Sequence, residues 1–258
     1  MFEAKEYISW RLKAHGKAGV QAPFLFRLCH EVLSQKNVVK ISAPFEKIRQ
    51  NLLSDKREIH VADMGAGAKT ESSNIRSVSY ITSTSAKAKK WAETLHRLAE
   101  DLQPKTIIEL GTSFGISGMY LASAIPNGKL ITLEGCANIA EIARENFRKA
   151  NINNVEIRIG NFDSTLPQLL KSVESVDFVY IDGNHTEEAT LRYFSWLKDK
   201  ASENTVLIFD DIHWSEGMKN AWKQIIDDKS VTLTVDLFQI GLVFFNPGLS
   251  KQHFNLTI

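Results

Sequence analysis

The chain has 258 residues, 31 Lys and Arg against 30 Asp and Glu, and a formal net charge of +1, so it offers no electrostatic case for nucleic acid or a membrane surface. Hydrophobic residues make up 43% and charged residues 24%, ordinary for a soluble globular chain that buries one large core with a small extension. No run approaches the roughly 20 apolar residues of a bilayer span, the stretch from Met1 to Gly19 lacks the apolar region of a secretory signal, and Cys29 and Cys136 lack metal spacing, so a cytoplasmic protein is expected.

Residues 1 to about 105 read as helical and irregular. Phe2–Ala14 and Ala22–Lys36 carry apolar residues at helical spacing, with Pro23 near the start of the second. Ser42–Arg57 is a further helix candidate. Val61–Asn74 breaks the pattern with two glycines and polar residues and reads as a loop; within it, Asp63–Lys69 is expected to cover the acceptor or to be an ordinary turn. Ser85–Gln103 is strongly amphipathic. These features divide the chain into an N-terminal helical extension or lid, residues 1–84, and a second domain, residues 85–258.

From Lys105 onward strands alternate with helices. The strand candidates are Thr106–Leu110, Lys129–Gly135, Asn154–Gly160, Val176–Asp182 and Thr205–Asp211; helical stretches lie between them. Val231–Phe238 and Gly241–Asn246 follow as a closing hairpin. Alternation of this kind predicts an α/β fold with a doubly wound, mostly parallel, seven-stranded sheet and an antiparallel edge.

In such a sheet ligands bind outside the carboxyl ends of the strands. Those ends hold Gly111–Gly115, Glu134, Gly160–Phe162, Asp182 and the pair Asp210 and Asp211. Gly111 and Gly115 let the backbone bend and approach a ligand. Their spacing is G-x-x-x-G-x-x-G, with Ser113 where dinucleotide enzymes carry a second glycine. Glu134, at the next strand end, can accept both hydroxyls of a ribose; a tight turn in some other α/β protein is the alternative.

The stretches Ile107–Ala122 and Ile131–Cys136 resemble motif I and the acidic loop of class I S-adenosylmethionine-dependent methyltransferases, and more narrowly the catechol- and caffeoyl-CoA-type O-methyltransferases. The stretches Ile181–His185 and Phe209–Ser215 also resemble an uncharacterised methyltransferase-like group. The likeness runs from about Trp91 to Phe245. It implies a Rossmann-like methyltransferase fold with S-adenosylmethionine as cofactor, its methionine part on Gly111, Thr112, Ser113 and Gly115. Ser117 is implied at the cofactor carboxylate, Glu109 near its amino group and Glu134 on the ribose. Asn161 stands where the family has an acid beside adenine, and its carbonyl oxygen can still accept from the adenine amino group. Phe162 stacks on adenine or fills the core.

On the acceptor side the resemblance implies Asp182, Asp210 and Asp211 as oxygen ligands for Mg²⁺ or Ca²⁺, with Asp in place of the usual Asn at the third position. Asp182 is also implied as a cofactor contact and a catalytic partner. The family's catalytic lysine is replaced by His185, whose ordinary pKa of about 6.5 suits a general base. His185 as a metal ligand, His213 as the rival base or ligand, and Asp182 as a helix cap stay open. Trp214 and Trp222 read as packing residues, with Trp214 close enough to line a pocket.

The leading expectation is methyl transfer from S-adenosylmethionine to a hydroxyl oxygen of a small-molecule acceptor. The segment after the fourth strand lacks the pattern of enzymes that methylate base amino groups. Alternatives are a non-catalytic S-adenosylmethionine-binding protein and a nicotinamide-dependent oxidoreductase, which the missing G-x-G-x-x-G disfavours. Oligomeric state, a homodimer included, stays open.

Overall fold

The computed structural model describes residues 2–16, 23–34, 39–62 and 74–257. The glycine loop Asp63–Lys69 lies outside the described residues. In chain order the elements are α1 (Phe2–Lys13), α2 (Pro23–Arg27), a π-helical turn (Leu28–Val32), α3 (Ser42–Ser54), β1 (Glu58–His60), β2 (Ile75–Ser77), α4 (Val78–Ser85) and α5 (Lys89–Leu102). There follow β3 (Thr106–Leu110), α6 (Ile116–Ala124), β4 (Lys129–Glu134), α7 (Ala137–Lys149), β5 (Val155–Ile159), α8 (Phe162–Lys171) and β6 (Val176–Ile181). The chain continues with α9 (Glu187–Lys198), β7 (Ala201–Asp210), α10 (Glu216–Asp227), β8 (Leu233–Asp236), β9 (Ile240–Phe244) and β10 (Gln252–Asn255).

The sheet is mostly parallel, as the alternation implied, but has eight strands, β3 to β10, rather than seven. The extra strand is Gln252–Asn255, which pairs parallel to β8 with Gln252 opposite Leu233. Its short polar sequence carries no apolar alternation to announce it. The closing hairpin is present: β8 pairs antiparallel with β9, and β9 antiparallel with β7. Among the described residues no helix is long and apolar enough to cross a membrane.

The chain divides into two compact units, one of residues 35–168 and one combining residues 1–34 with 169–258. This division does not follow the sequence boundary at residue 84.

In the unit of residues 35–168, β3, β4 and β5 run parallel, with Thr106 opposite Lys129 and Leu130 opposite Val155. Ile107, Ile108 and Leu110 are buried, which explains why β3 reads as a continuous apolar run. Helix α5 turns Leu95 and Leu98 inward, and α3 sets Phe45 edge-on against Tyr120 of α6 at 5.1 Å. Phe147 of α7 packs where α6 begins. A Cβ on Gly115 would lie 2.9 Å from the Phe147 ring, and one on Gly118 equally close, so two glycines set how nearly α6 approaches α7. Burying a ring such as Phe147 stabilises by about 3 kcal/mol.

In the other unit β6 and β7 are parallel neighbours, and Val206, Leu207, Ile208 and Phe209 are buried in succession along β7. Thr186 caps α9 by accepting from Ala189 N at 3.3 Å, and Ser215 caps α10 by accepting from Met218 N at 3.2 Å. The cap of α9 is therefore Thr186 and not Asp182.

Candidate active site

The unit of residues 35–168 gathers the cofactor-side residues around the turn after β3. The turn takes left-handed backbone at Gly111 (φ 99°), Ser113 (φ 45°) and Gly115 (φ 80°). For Ser113 that conformation is uncommon, and local contacts hold it. Its N–H donates to Glu134 Oε2 at 2.9 Å, and its hydroxyl lies 3.0 Å from the hydroxyl of Ser85, the last residue of α4. Nothing in the sequence pattern pointed to Ser85.

Glu134, the last residue of β4, is half-buried. Its Oε1 accepts from Cys136 N at 2.9 Å, opposite the Ser113 bond to Oε2. The N–H of Gly135 is a third backbone donor to the same carboxylate. Burial pushes the carboxyl up from its ordinary value, and the backbone N–H groups of Cys136 and Ser113 pull it back in part. A carboxylate fixed in this way beside a tight turn suits two vicinal hydroxyls.

Beneath the turn the structure departs from the expected contacts. Glu109 is wholly buried, accepting from Ser117 Oγ at 2.6 Å on Oε1 and from Thr132 Oγ1 at 2.7 Å on Oε2. The hydroxyl proton of Ser117 is thus committed to Glu109 rather than turned toward a cofactor carboxylate, and a wholly buried Glu109 does not present itself to a cofactor amino group. Thr112 is also fully buried, its hydroxyl 2.6 Å from that of Thr132. Only its main chain is left to face a ligand. These four side chains support the turn from below.

After β5, Asn161 is exposed, and its Oδ1 accepts from Asp163 N at 2.8 Å at the start of α8. The oxygen expected to meet adenine is spent in part on starting a helix. Phe162 is half-buried as the first residue of α8, so both of its expected roles stay open.

In the unit that contains residues 169–258, the loop after β6 and the end of β7 bring Asp182, His185 and Asp211 together. His185 Nε2 lies 3.5 Å from Asp182 Oδ1 and 3.9 Å from Asp211 Oδ2. Tyr180, buried two residues upstream, donates its hydroxyl to Asp182 Oδ2 at 2.8 Å. The two-residue spacing on one strand could have suggested that contact. Asn184 holds the loop by donating to the Tyr193 hydroxyl at 3.0 Å. Asp211 has left-handed backbone (φ 53°), and its N–H donates to Gln239 O at 2.7 Å.

Asp210 behaves differently, being only 1% exposed inside β7. Among the described residues no group of three or more His, Cys, Asp or Glu is disposed to hold a metal ion. Asp210 is interior, while His185 Nε2 lies within 3.9 Å of carboxylate oxygens of both Asp182 and Asp211.

His213 is turned to other partners. Its Nε2 lies 2.8 Å from Asp236 Oδ2, an oxygen that also accepts from Trp222 Nε1 at 3.0 Å, and its ring stacks on Phe238 at 5.0 Å. Glu6 of α1 reaches within 3.9 Å of His213 Nδ1 and pairs with Lys219 at 2.7 Å. His213 thus fastens α1 beside the loop after β7. Trp222 is buried and Trp214 is 60% exposed.

Comparison with known proteins bears on both halves. Residues 108–212 match a family described as a methyltransferase domain. Over 121 residues the chain is 35% identical to a catechol O-methyltransferase of Niastella koreensis, covering 46% of this chain and 54% of that protein. It is 33% identical over 117 residues to a catechol O-methyltransferase of Mycobacterium tuberculosis, covering 45% and 51%. The chain therefore spans about half the length of these curated relatives. In three dimensions it resembles an O-methyltransferase from Bacillus cereus in complex with SAH, with a TM-score of 0.54 and 26% identity over 62% of this chain and 83% of that one. The fold is the Rossmann-like methyltransferase fold.

Proposed function

We propose, from the match of residues 108–212 to a methyltransferase-domain family, that the protein transfers a methyl group from S-adenosylmethionine to a hydroxyl oxygen of a small-molecule acceptor. The observation that carries the proposal is Glu134, a carboxylate held by the backbone N–H groups of Ser113, Cys136 and Gly135 beside the glycine turn. A fixed acceptor of this kind fits the hydroxyl donors of a ribose, and the turn offers main chain to the methionine part. S-adenosylmethionine supplies an electrophilic methyl group on a sulfonium. Glu134 holds and orients the ribose. Glu109, Thr112, Thr132 and Ser117 keep the turn in shape from beneath. Phe162 is assigned to the adenine side, with Asn161 contributing through its amide.

On the acceptor side His185 receives the hydroxyl proton at Nε2 while the oxygen forms its bond to the methyl carbon and the carbon–sulfur bond breaks, releasing the thioether. Asp182 and Asp211 face that nitrogen and favour the positive charge that arrives with the proton. Tyr180 fixes Asp182 in turn. Helix α1 is assigned the covering role beside the loop after β7.

Calorimetric titration with S-adenosylmethionine and with NAD tests the cofactor half. Binding of the first and not the second is expected. Preference for NAD would favour the oxidoreductase reading instead.

A further inference from the structure

We infer that helix α1 positions Asp211 for the transfer step: Tyr7 and Trp10 hold Phe238 in left-handed backbone, and the hairpin tip fixed in this way offers Gln239 O to the Asp211 N–H. All of these residues belong to the unit that combines residues 1–34 with 169–258, and Tyr7, Trp10 and Phe238 lie outside the stretch that matches the family. Phe238 sits between β8 and β9 with φ 71°. A bulky side chain seldom takes that conformation, and it persists only where the surroundings over-determine it. Here a main-chain bond and three rings do so. Asp236 Oδ1 accepts from Phe238 N at 2.8 Å. The Phe238 ring meets Tyr7 edge-on at 5.0 Å, Trp10 at 5.4 Å and, stacked, His213 at 5.0 Å.

Helix α1 is anchored apart from these rings. Glu6 pairs with Lys219 of α10 at 2.7 Å, and just past the helix His15 N donates to Asn255 O of β10 at 2.9 Å. The helix therefore presents Tyr7 and Trp10 to the hairpin as a fixed surface. Trp10 is 7% exposed, and among the described residues its indole N–H has no hydrogen-bond partner, so ring contact and not a polar bond accounts for its place. Beyond Phe238 the tip closes with Gln239 N donating to Leu237 O and Leu237 N to Ile240 O, both at 3.0 Å. Gln239 O then accepts from Asp211 N at 2.7 Å. Asp211 is itself left-handed (φ 53°), and in that conformation its Oδ2 stands 3.9 Å from His185 Nε2. Freed of Gln239, an aspartate relaxes toward the right-handed or extended regions, and its carboxylate swings away. Tyr7, Trp10 and Phe238 are thus positioning residues, acting on the acceptor side through one main-chain bond.

The turnover arm of the test rests on the methyl-transfer reading; the exchange arm does not. Amide hydrogen exchange is followed by NMR in the wild type, in Phe238→Gly and in the double variant Tyr7→Ala, Trp10→Ala. Glycine accepts left-handed backbone without strain, so Phe238→Gly removes the ring and leaves the turn possible. In both variants the Asp211 amide should exchange at least about tenfold faster, while Leu207 and Val243, paired across β7 and β9, keep their protection. In both, kcat should fall at least about tenfold with KM for S-adenosylmethionine unchanged. Phe238→Tyr and Trp10→Phe, which keep the rings, should match the wild type in both arms. Unchanged Asp211 exchange, equal loss of protection at Leu207 and Val243, or faster Asp211 exchange with unchanged kcat would each overturn the inference. If the wild type methylates no acceptor, the methyl-transfer reading fails by itself and exchange decides here: selective loss at Asp211 supports the inference, and no loss or uniform loss overturns it.

Discussion

Replacing Glu134 by Gln alters the cofactor site with little change in shape. The carboxylate holds Ser113 N and Cys136 N at 2.9 Å each and is assigned to the ribose hydroxyls. Hydrogen bonds to a charged acceptor are worth about 1.5–3 kcal/mol each, so losing both would cost about 3–6 kcal/mol. Glutamine keeps one oxygen, which sets the expected loss near the lower figure, about a hundredfold in Kd. Its NH₂ group must also face one backbone N–H, donor against donor. Burial raises the Glu134 carboxyl, so its ionised form costs folding free energy above that raised value, and removing the charge offsets part of the damage. The variant should therefore stay folded. Isothermal titration of wild type and variant with S-adenosylmethionine, alongside their thermal melts, measures both effects. In the wild type, affinity should fall in acid as Glu134 takes up a proton, beginning above the ordinary glutamate pKa; the variant should lack that limb. Equal affinities in two folded proteins would refute the ribose assignment.

Other expectations concern the scaffold. Burial raises Asp228, but the Lys198 ammonium at 2.7 Å and the Ser230 hydroxyl and N–H outweigh it and hold the group at about 2. Its folded value lies below its unfolded one, so its contribution, reduced by solvent screening to about 1 kcal/mol, is complete above about pH 4 and lost as pH falls toward 2; Asp228→Asn should lose it at neutral pH, as read by denaturant unfolding. Gly118→Ala places a Cβ 2.9 Å from Phe147 and 3.1 Å from Glu109 Oε2, and should cost about 1–3 kcal/mol in the same assay. His213→Ala leaves buried Asp236 with Trp222 Nε1 and Phe238 N as donors and should cost about 1.5–3 kcal/mol. A melt unchanged in His213→Ala would show that α1 is not fastened through this histidine.

Much of the sheet was legible because its strands are buried runs between turns. Thr106–Leu110 was read with the bounds it has, and the hairpin of β8 and β9 followed from the short break between two apolar runs. Strands β1 and β2, of three residues each with mainly exposed side chains, carry no such pattern, and the same holds for β10. Ala22–Lys36 read as one helix; the structure has α2 followed by a π-helical turn, a change of hydrogen-bond spacing that apolar periodicity does not report.

At the candidate site, residue type and strand-end position located Glu134 and Asp182, and the family resemblance located His185. They did not say which way each side chain faces. Asp210 and Asp211 are adjacent acids, yet the first pairs with Ile240 inside the sheet and the second turns out through left-handed backbone. Ser117 looked like a cofactor donor because of its place in the motif, but its hydroxyl donates to Glu109 Oε1 at 2.6 Å. His185 stood at the position of the resembling family's lysine, with His213 as its rival. Asp236, 23 residues after His213 and unmarked by any motif, separates their roles.

Methyl transfer is tested most directly by incubating the protein with S-adenosylmethionine labelled on the methyl group and a panel of hydroxylated aromatic and aliphatic acceptors, then quantifying S-adenosylhomocysteine and labelled product together. At least one acceptor should gain the label on oxygen, with one S-adenosylhomocysteine formed per methyl transferred and none formed by His185→Ala above background. Tight binding of S-adenosylmethionine with no S-adenosylhomocysteine formed across the whole panel would contradict the enzymatic claim and favour a binding protein.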